Sequence, residues 1–462
     1  MMENPDTMRR VLGFCDASSL LGWRCVASEV VEVASEDAVW REQALRDFYP
    51  CGGAPASPLG PRDGGGGAWR VSEPCDGVDE CASWRHAYWR WASLAARVDA
   101  GAPPGTSFDA AAWVGVAGSW RDLKRALGGV EASPIVKSLN GPASPGDLGR
   151  VAPKTLRYCY AVHDGQDLAF DAAVLSQQRE AMRRAQETIF HGLFGGLAAY
   201  DYVVCGRLRR VRWNRQDGPG APGFAFASNY RGDRVFSARA DDAAVTVDGE
   251  NAAPPGPGAF ARWFRTFADR VAAKAYRLAP IVPDAPETRG VVLFPDADAG
   301  ADCRVSEATT RGVRVRASAV YLPNHPSGFA YSIRLLHVGD DQAPDSCQLK
   351  TRHWIIADGD DPPRDFVGDG VGAYFPVLRR GGWRDDAQVA DMALGFANAV
   401  EPGDDRDGEF VYQSFSGPMA ARDGGTFAGT LEFHPGDVAN PTGPKFDVAC
   451  PLFRLKVPAF IF

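Results

Sequence analysis

At 462 residues, the chain has room for two to four domains of about 100–200 residues each. A formal net charge of -8 and a pI near 5.5 exclude the basic face that non-specific nucleic-acid binding requires, so no nucleic-acid partner is expected. Hydrophobic residues at 45% and charged residues at 23% are the balance of packed globular domains and exclude a largely disordered chain.

In chain order, residues 8–49 predict short helices. Asp16 with Ala-Ser-Ser forms an N-cap signal. Leu20, Leu21, Val26 and Val30 follow at helical spacing. Ser35-Glu-Asp caps a second segment in which Trp40, Ala44 and Phe48 share one face. So small a helical unit has little core of its own, and its remaining apolar surface calls for a partner. Residues 51–83 are Gly/Pro-rich, with four glycines at 64–67, and predict a flexible linker. An aromatic-rich connecting helix follows within 84–109. Residues 110–280 alternate helix and strand signals. Trp120–Leu127 predicts a helix. Arg157–Val162 predicts a short strand closed by the turn His163-Asp164-Gly165-Gln166. Leu208–Trp213, Gly223–Ala227 and Arg234–Ala238 predict strands. Phe260, Trp263, Phe264, Phe267 and Val271 form one stripe on a closing helix. A Pro/Asp-rich stretch predicts a second linker at 281–308.

From Thr310 the period becomes two. Val313, Val315, Ala317 and Ala319 alternate with Arg314, Arg316 and Ser318. Phe329, Tyr331, Ile333 and Leu335 alternate again, as do Phe427, Gly429, Leu431 and Phe433, then Phe446, Val448 and Cys450. Turn residues separate these runs at sandwich-like spacing, so 309–462 predicts an all-β module.

No window approaches the roughly 18 apolar residues of a membrane span, and MMENPDTMRR has no charged start followed by an apolar run. Ten cysteines are scattered without a CxxC pair, the tightest group being Cys75 and Cys81, so buried reduced thiols are expected. The chain is therefore expected to be cytoplasmic or nuclear, without a membrane partner.

Three family resemblances overlie these readings. GVRVRASAVY (312–321), FAYSIRLLHVG (329–339), LKTRHWIIADGD (349–360), VGDGVGAYFPVLRRGG (367–382), EFVYQSFSG (409–417), GTFAGTLEF (425–433) and FDVACPLFRLKVP (446–458) resemble the ApaG family in its order. That resemblance implies a fibronectin-type β-sandwich with no established catalytic role, and 383–407 departs from it as a surface insertion. VLGFCDASSLLGWRCVASEV (11–30) and AVWRE (38–42) resemble an F-box, with Asn4-Pro5 where that motif carries Leu-Pro. SWRDLKRAL (119–127), VKSLNGPASPGDL (136–148), YAVHDGQD (160–167) and GLFGGLAAYDYVV (192–204) resemble a SUKH (Smi/Knr-type) domain. Together they resemble F-box-only proteins with a C-terminal ApaG domain. The implied fold class is multidomain α+β, with a small helical F-box at 1–50, a central SUKH-like domain and the C-terminal sandwich.

No constellation predicts catalysis. GDGVG (368–372) lacks the following helix and the glycine spacing of a dinucleotide loop, so a turn needing positive φ is the plainer reading beside a phosphate-binding nest. His353, between Arg352 and Trp354, has no partner at metal-ligand spacing. On a regular strand it shares a face with Leu349, Thr351 and Ile355, which predicts a hydrogen-bonded core histidine. His163-Asp164-Gly165-Gln166 predicts a structural turn. No cofactor or metal is expected.

The expected function is substrate recognition in an SCF-type cullin ubiquitin ligase. Pro5, Leu12, Leu20, Leu21, Val26 and Trp40 would meet the Skp adaptor by helix-in-groove packing. An unidentified target protein would meet the other modules, with Arg352, His353, Trp354, Gly368, Gly370 and Gly372 as candidate contacts. The alternative is a small-molecule or phosphate sensor built on the ApaG-like module.

Overall fold

The computed structural model describes residues 37–48, 84–99, 108–129, 133–166, 192–196, 207–211, 223–229, 234–282, 285–323, 325–339, 343–371, 375–380, 382–384, 395–397, 408–419 and 424–462. Pro5, Leu12, Leu20, Leu21 and Val26, the linker expected at 51–83 and Gly372 lie outside them.

Helices α1 (Asp37–Phe48) and α2 (Trp84–Val98) pack on each other. The Trp40 indole is 0% exposed and lies 5.3 Å from the Tyr88 ring, and the Tyr88 hydroxyl donates to Asp47 Oδ2 at 2.9 Å. Helix α2 is anchored at its far end as well. Arg157, wholly buried, donates to Asp99 at 2.8 Å, and the tilted Trp91 and Phe108 rings lie 5.9 Å apart. The segment expected as a connector is thus part of the core.

The central unit is α+β. Helix α3 (Ala110–Ala126) is capped by Asp109 Oδ1, which accepts from the Ala112 N–H. Two single-turn helices follow, α4 (Pro134–Lys137) and α5 (Pro145–Leu148). Helix α6 (Lys154–Val162) occupies the segment predicted as a strand. The reason is burial on every side: Thr155 through Val162 are all buried, so no polar face reveals the helical period. Pro153 starts the helix from an extended conformation. Strands β1 (Arg207–Leu208), β2 (Gly223–Ser228), β3 (Val235–Arg239), β4 (Val245–Val247) and β5 (Glu250–Asn251) form one antiparallel sheet in that order. Helix α7 (Ala259–Ala272) covers it with the predicted stripe: Phe260, Trp263, Phe264 and Phe267 are 0% exposed. Trp120 on α3 meets Phe264 at 4.9 Å.

Residues expected as the second linker are structured. Strands β6 (Arg277–Val282) and β7 (Ala285–Val292) pair as a hairpin, and Val291 through Asp296 are buried.

The last third is a two-sheet antiparallel sandwich. One sheet runs β15-β16-β10-β9-β8, from β8 (Ser306–Thr310), β9 (Val313–Tyr321), β10 (Phe329–His337), β15 (Gly395–Ala397) and β16 (Phe410–Phe415). The other runs β14-β13-β11-β17-β18, from β11 (Ser346–Ala357), β13 (Val377–Arg379), β14 (Gly382–Arg384), β17 (Gly425–Pro435) and β18 (Phe446–Leu455), with β12 (Arg364–Asp369) also paired to β11. Between them Tyr331 meets Phe427 at 4.6 Å, and Phe427 meets Phe453 at 4.8 Å and Trp354 at 5.3 Å. The all-β expectation for this module agrees with the structure.

Strand β10 is buried on both faces, although its sequence alternates. Its second face packs on residues 293–296. Arg334 donates to the Asp296 carboxylate, to Pro295 O at 2.6 Å and to Ser318 Oγ at 2.6 Å. Arg316 reaches Asp296 and Glu409, the latter at 3.0 Å. Burial pulls the Arg334 guanidinium down to about 10, against the Asp296 charge that holds it up. On the central-unit side, segment 458–462 inserts into the aromatic core. Trp263 Nε1 donates to Ile461 O at 2.7 Å, and the Phe462 ring lies 5.3 Å from Phe267 with Arg270 5.0 Å above it. The sandwich and the central unit therefore share one continuous core.

Candidate interaction site

The predicted site residues of the sandwich meet at the β11–β12 hairpin. Register pairs Arg352 with Gly368, His353 with Val367 and Trp354 with Phe366. The Arg352 guanidinium turns into the end of the hairpin and donates to Asp369 O at 3.1 Å and Gly370 O at 2.6 Å. A side chain at Gly368 would stand 3.1 Å from that guanidinium. Gly370 has φ of 58°, and its N–H donates to Lys350 O at 2.8 Å. Gly370 thus serves a turn with positive φ, Gly368 leaves room for the Arg352 guanidinium, and the Gly370 N–H is committed to the sheet rather than to an anion.

His353 is not a core residue. Its side chain is 39% exposed and Nε2 lies 2.7 Å from Asp365 Oδ1. The expectation placed it beside Leu349, but a β-bulge between Leu349 and Thr351 shifts the register. One extra residue flips every later side chain to the opposite face. Cys347 and Leu349 are buried before the bulge, whereas Trp354 and Ile356 are buried after it. Trp354 fills the sandwich beside Gly429, where an added Cβ would stand 2.1 Å from His353 O and 2.7 Å from Trp354 Cε3. The sixth adaptor-facing candidate, Trp40, is an interior side chain, because α2 already covers it.

What sequence reasoning missed is the apolar exposure here. Ile355 is 36% exposed, Phe366 45%, Val367 72% and Phe375 37%, four of the six large apolar side chains most open to solvent among the described residues. A Phe-Val pair inside a short strand looks the same in sequence whether covered or open, so only the flanking prolines 362 and 363 marked it as peripheral. Lys350 Nζ lies 5.6 Å over the Phe375 ring and 3.4 Å from Asp369, while Arg364 lies over Phe366 at 6.0 Å and donates to Met419 Sδ at 3.3 Å.

The turn His163-Asp164-Gly165-Gln166 is structural. Asp164 Oδ1 accepts from Val211 N at 3.1 Å, Gln166 Oε1 accepts from Leu208 N at 3.0 Å, and Gly165 packs on the Arg209 backbone with φ of 72°. A separate cleft of about 400 Å³ lies between residues 298–306 and β18. Two charge pairs line it, Arg304 with Asp298 at 2.7 Å and Lys456 with Asp302 at 4.0 Å. Among the described residues no cluster of three or more His, Cys, Asp or Glu could hold a metal, and no helix is long and apolar enough to cross a membrane.

The module is an antiparallel two-sheet sandwich with a β11–β12 hairpin at one margin. The ApaG domain family model, DUF525, matches residues 323–383. Protein ApaG of Afipia carboxidovorans is 30% identical over 157 residues, which cover 33% of this chain and 92% of that protein. Through this module the chain belongs to the ApaG family. F-box protein SKIP16 of Arabidopsis thaliana is 30% identical over 188 residues, 38% of this chain and 36% of that protein. F-box only protein 3 of Homo sapiens is 25% identical over 160 residues, 32% of this chain and 28% of that protein. The chain thus aligns with about a third of the length of these F-box relatives. A solved ApaA protein from Bordetella pertussis is 24% identical, covers 32% of this chain and 94% of its own, and has a TM-score of 0.22.

Proposed function

We propose that this chain is the substrate-receptor subunit of an SCF-type cullin ubiquitin ligase, working in the cytoplasm or nucleus. The observations that carry the reading are the ApaG domain matched at residues 323–383 and the similarity of about a third of the chain to two proteins whose names carry the F-box. The F-box-like segment 1–50 holds the Skp adaptor through Pro5, Leu12, Leu20, Leu21 and Val26, while Trp40 supports it from inside. The cullin joins through that adaptor. The SUKH-like central domain and the ApaG module present the target. The chain itself is non-catalytic: partner subunits transfer ubiquitin, and the receptor supplies proximity. The shared core between central unit and sandwich supports this, since a receptor must hold its target at a defined position. A phosphate sensor is less well supported, because the Gly370 N–H bonds Lys350 O and Arg352 Nη1 donates to Asp369 O and Gly370 O. The test is co-elution of the purified full chain with the Skp adaptor. The reading expects a stable complex that Leu20→Asp/Leu21→Asp abolishes. Failure of the unaltered chain to co-elute, where a control F-box protein does, overturns it.

A further inference from the structure

The open edge of β12 has the features of a strand-docking site. Among the described residues β12 pairs only with β11. The Gly370 N–H bonds Lys350 O, and in an antiparallel pair bonded positions alternate. Phe366 and Gly368 therefore direct their backbone groups at β11, and Asp365 and Val367 direct theirs outward. Arg352 closes the far end by occupying Asp369 O. An exposed strand edge bearing apolar side chains is a template that proteins cover or pair.

The side chains define what fits. On one side of the edge stand Asp365 and Asp369, with side-chain exposures of 62% and 64%, and Asp360 and Asp361 are exposed at the hairpin tip. Val367 and Ile355 share the face of Asp365. On the other side stands Phe366, 45% exposed beside the buried Trp354. A strand laid along β12 would present alternate side chains to these two faces. We infer that β12 docks an extended segment of a partner protein in which basic and apolar residues alternate, adding it to the β14-β13-β11-β17-β18 sheet. Its basic side chains meet the carboxylate row and its apolar ones cover Phe366. The inference rests on the receptor reading and deepens it by naming the target-binding surface and the chemistry of the target segment.

The test uses the full chain and a short labelled peptide alternating Lys with Val, read by fluorescence anisotropy. Two control peptides alternate Glu with Val, or carry the Lys/Val sequence with N-methylated backbone on the edge-facing residues. The N-methylated peptide keeps the charge, so it separates backbone pairing from attraction to an acidic protein. Saturable Lys/Val binding is expected, weaker by at least about tenfold for both controls and for Phe366→Asp and Val367→Pro. Val367→Ile keeps binding, and thermal unfolding of each variant confirms the fold. Equal binding of the N-methylated peptide, or binding unchanged in Phe366→Asp and Val367→Pro, overturns the inference. So does a concentration-dependent dimer that Phe366→Asp abolishes, which assigns the edge to a second copy of this chain. Skp co-elution is read on the same samples. Lost docking with intact co-elution refutes this inference alone, whereas lost co-elution refutes the receptor reading.

Discussion

Phe462→Ala tests whether the sandwich and the central unit stand or fall together. The Phe462 ring is 4% exposed, lies 5.3 Å from Phe267 and 5.5 Å from Trp263, and carries Arg270 at 5.0 Å. Truncating a buried Phe costs about 3–5 kcal/mol when the cavity cannot collapse. Segment 458–462 can partly lift away, so we take the lower end, about 3 kcal/mol. The lost guanidinium-ring contact is included in that figure. A loss of 3 kcal/mol corresponds to roughly a 150-fold change in the docking equilibrium. Two measurements read it. Urea unfolding followed by circular dichroism gives the loss at the first transition. Hydrogen exchange at the Trp263 indole N–H, which donates to Ile461 O at 2.7 Å, reports the segment locally. Its protection is expected to fall by about two orders of magnitude. Leu452→Ala, at a side chain 57% exposed, is the control and is expected to change stability by less than about 0.5 kcal/mol. If Phe462→Ala behaves like that control in both measurements, the shared core does not couple the two units.

Asp296→Asn removes the carboxylate that Arg316 and Arg334 share in the interior. Arg316 keeps Glu409 at 3.0 Å, so the loss falls on Arg334 and is expected to cost about 3 kcal/mol, and a loss under about 1 kcal/mol in denaturant unfolding contradicts the buried network. Gly429→Ala forces a Cβ to within 2.1 Å of His353 O, so a loss of about 2 kcal/mol or more is expected. Gly443→Ala, whose Cβ meets nothing closer than 3.6 Å, is the neutral comparison in the same melt. Burial pushes the Cys347 and Cys450 thiols up to about 12. At pH 8 a disulfide reagent should therefore label them only as fast as the sandwich opens, and labelling of these two residues within seconds, located by peptide mapping, refutes their burial. Because the folded values lie above the usual thiol value of 9.0, the native state holds more protons between the two. The stability these thiols contribute is complete below pH 9 and is lost as pH rises toward 12, which alkaline unfolding of Cys347→Ala against the unaltered chain measures.

Much of the architecture was legible because it depends on local periodicity. Val313, Val315 and Ala317 repeat at two and are 0% exposed; Phe260, Trp263, Phe264 and Phe267 share one helical face and are 0% exposed. The stretches around Arg352-His-Trp and the glycine turn identified the family, since a tight turn restricts which residues can occupy it. Periodicity failed where the environment was not one-sided. Helix α6 is buried all round, so its Tyr and Val content outweighed a period that no polar face displayed. Strand β10 alternates as if half-exposed, yet residues 293–296 cover its second face. A single bulged position near Lys350 carried His353 out of the core and Trp354 into it.

The amino-acid sequence by itself determined the all-β module, its ApaG identity and the aromatic helix that closes the central unit, because each follows from spacing along a single segment. Only the tertiary structure decided that Trp40 lies inside, that residues 293–296 and 458–462 join two units into one core, and that among the described residues β12 leaves an apolar edge open. Those facts depend on contacts between residues far apart in the chain, and an apolar side chain has the same letter whether its neighbour arrives or not.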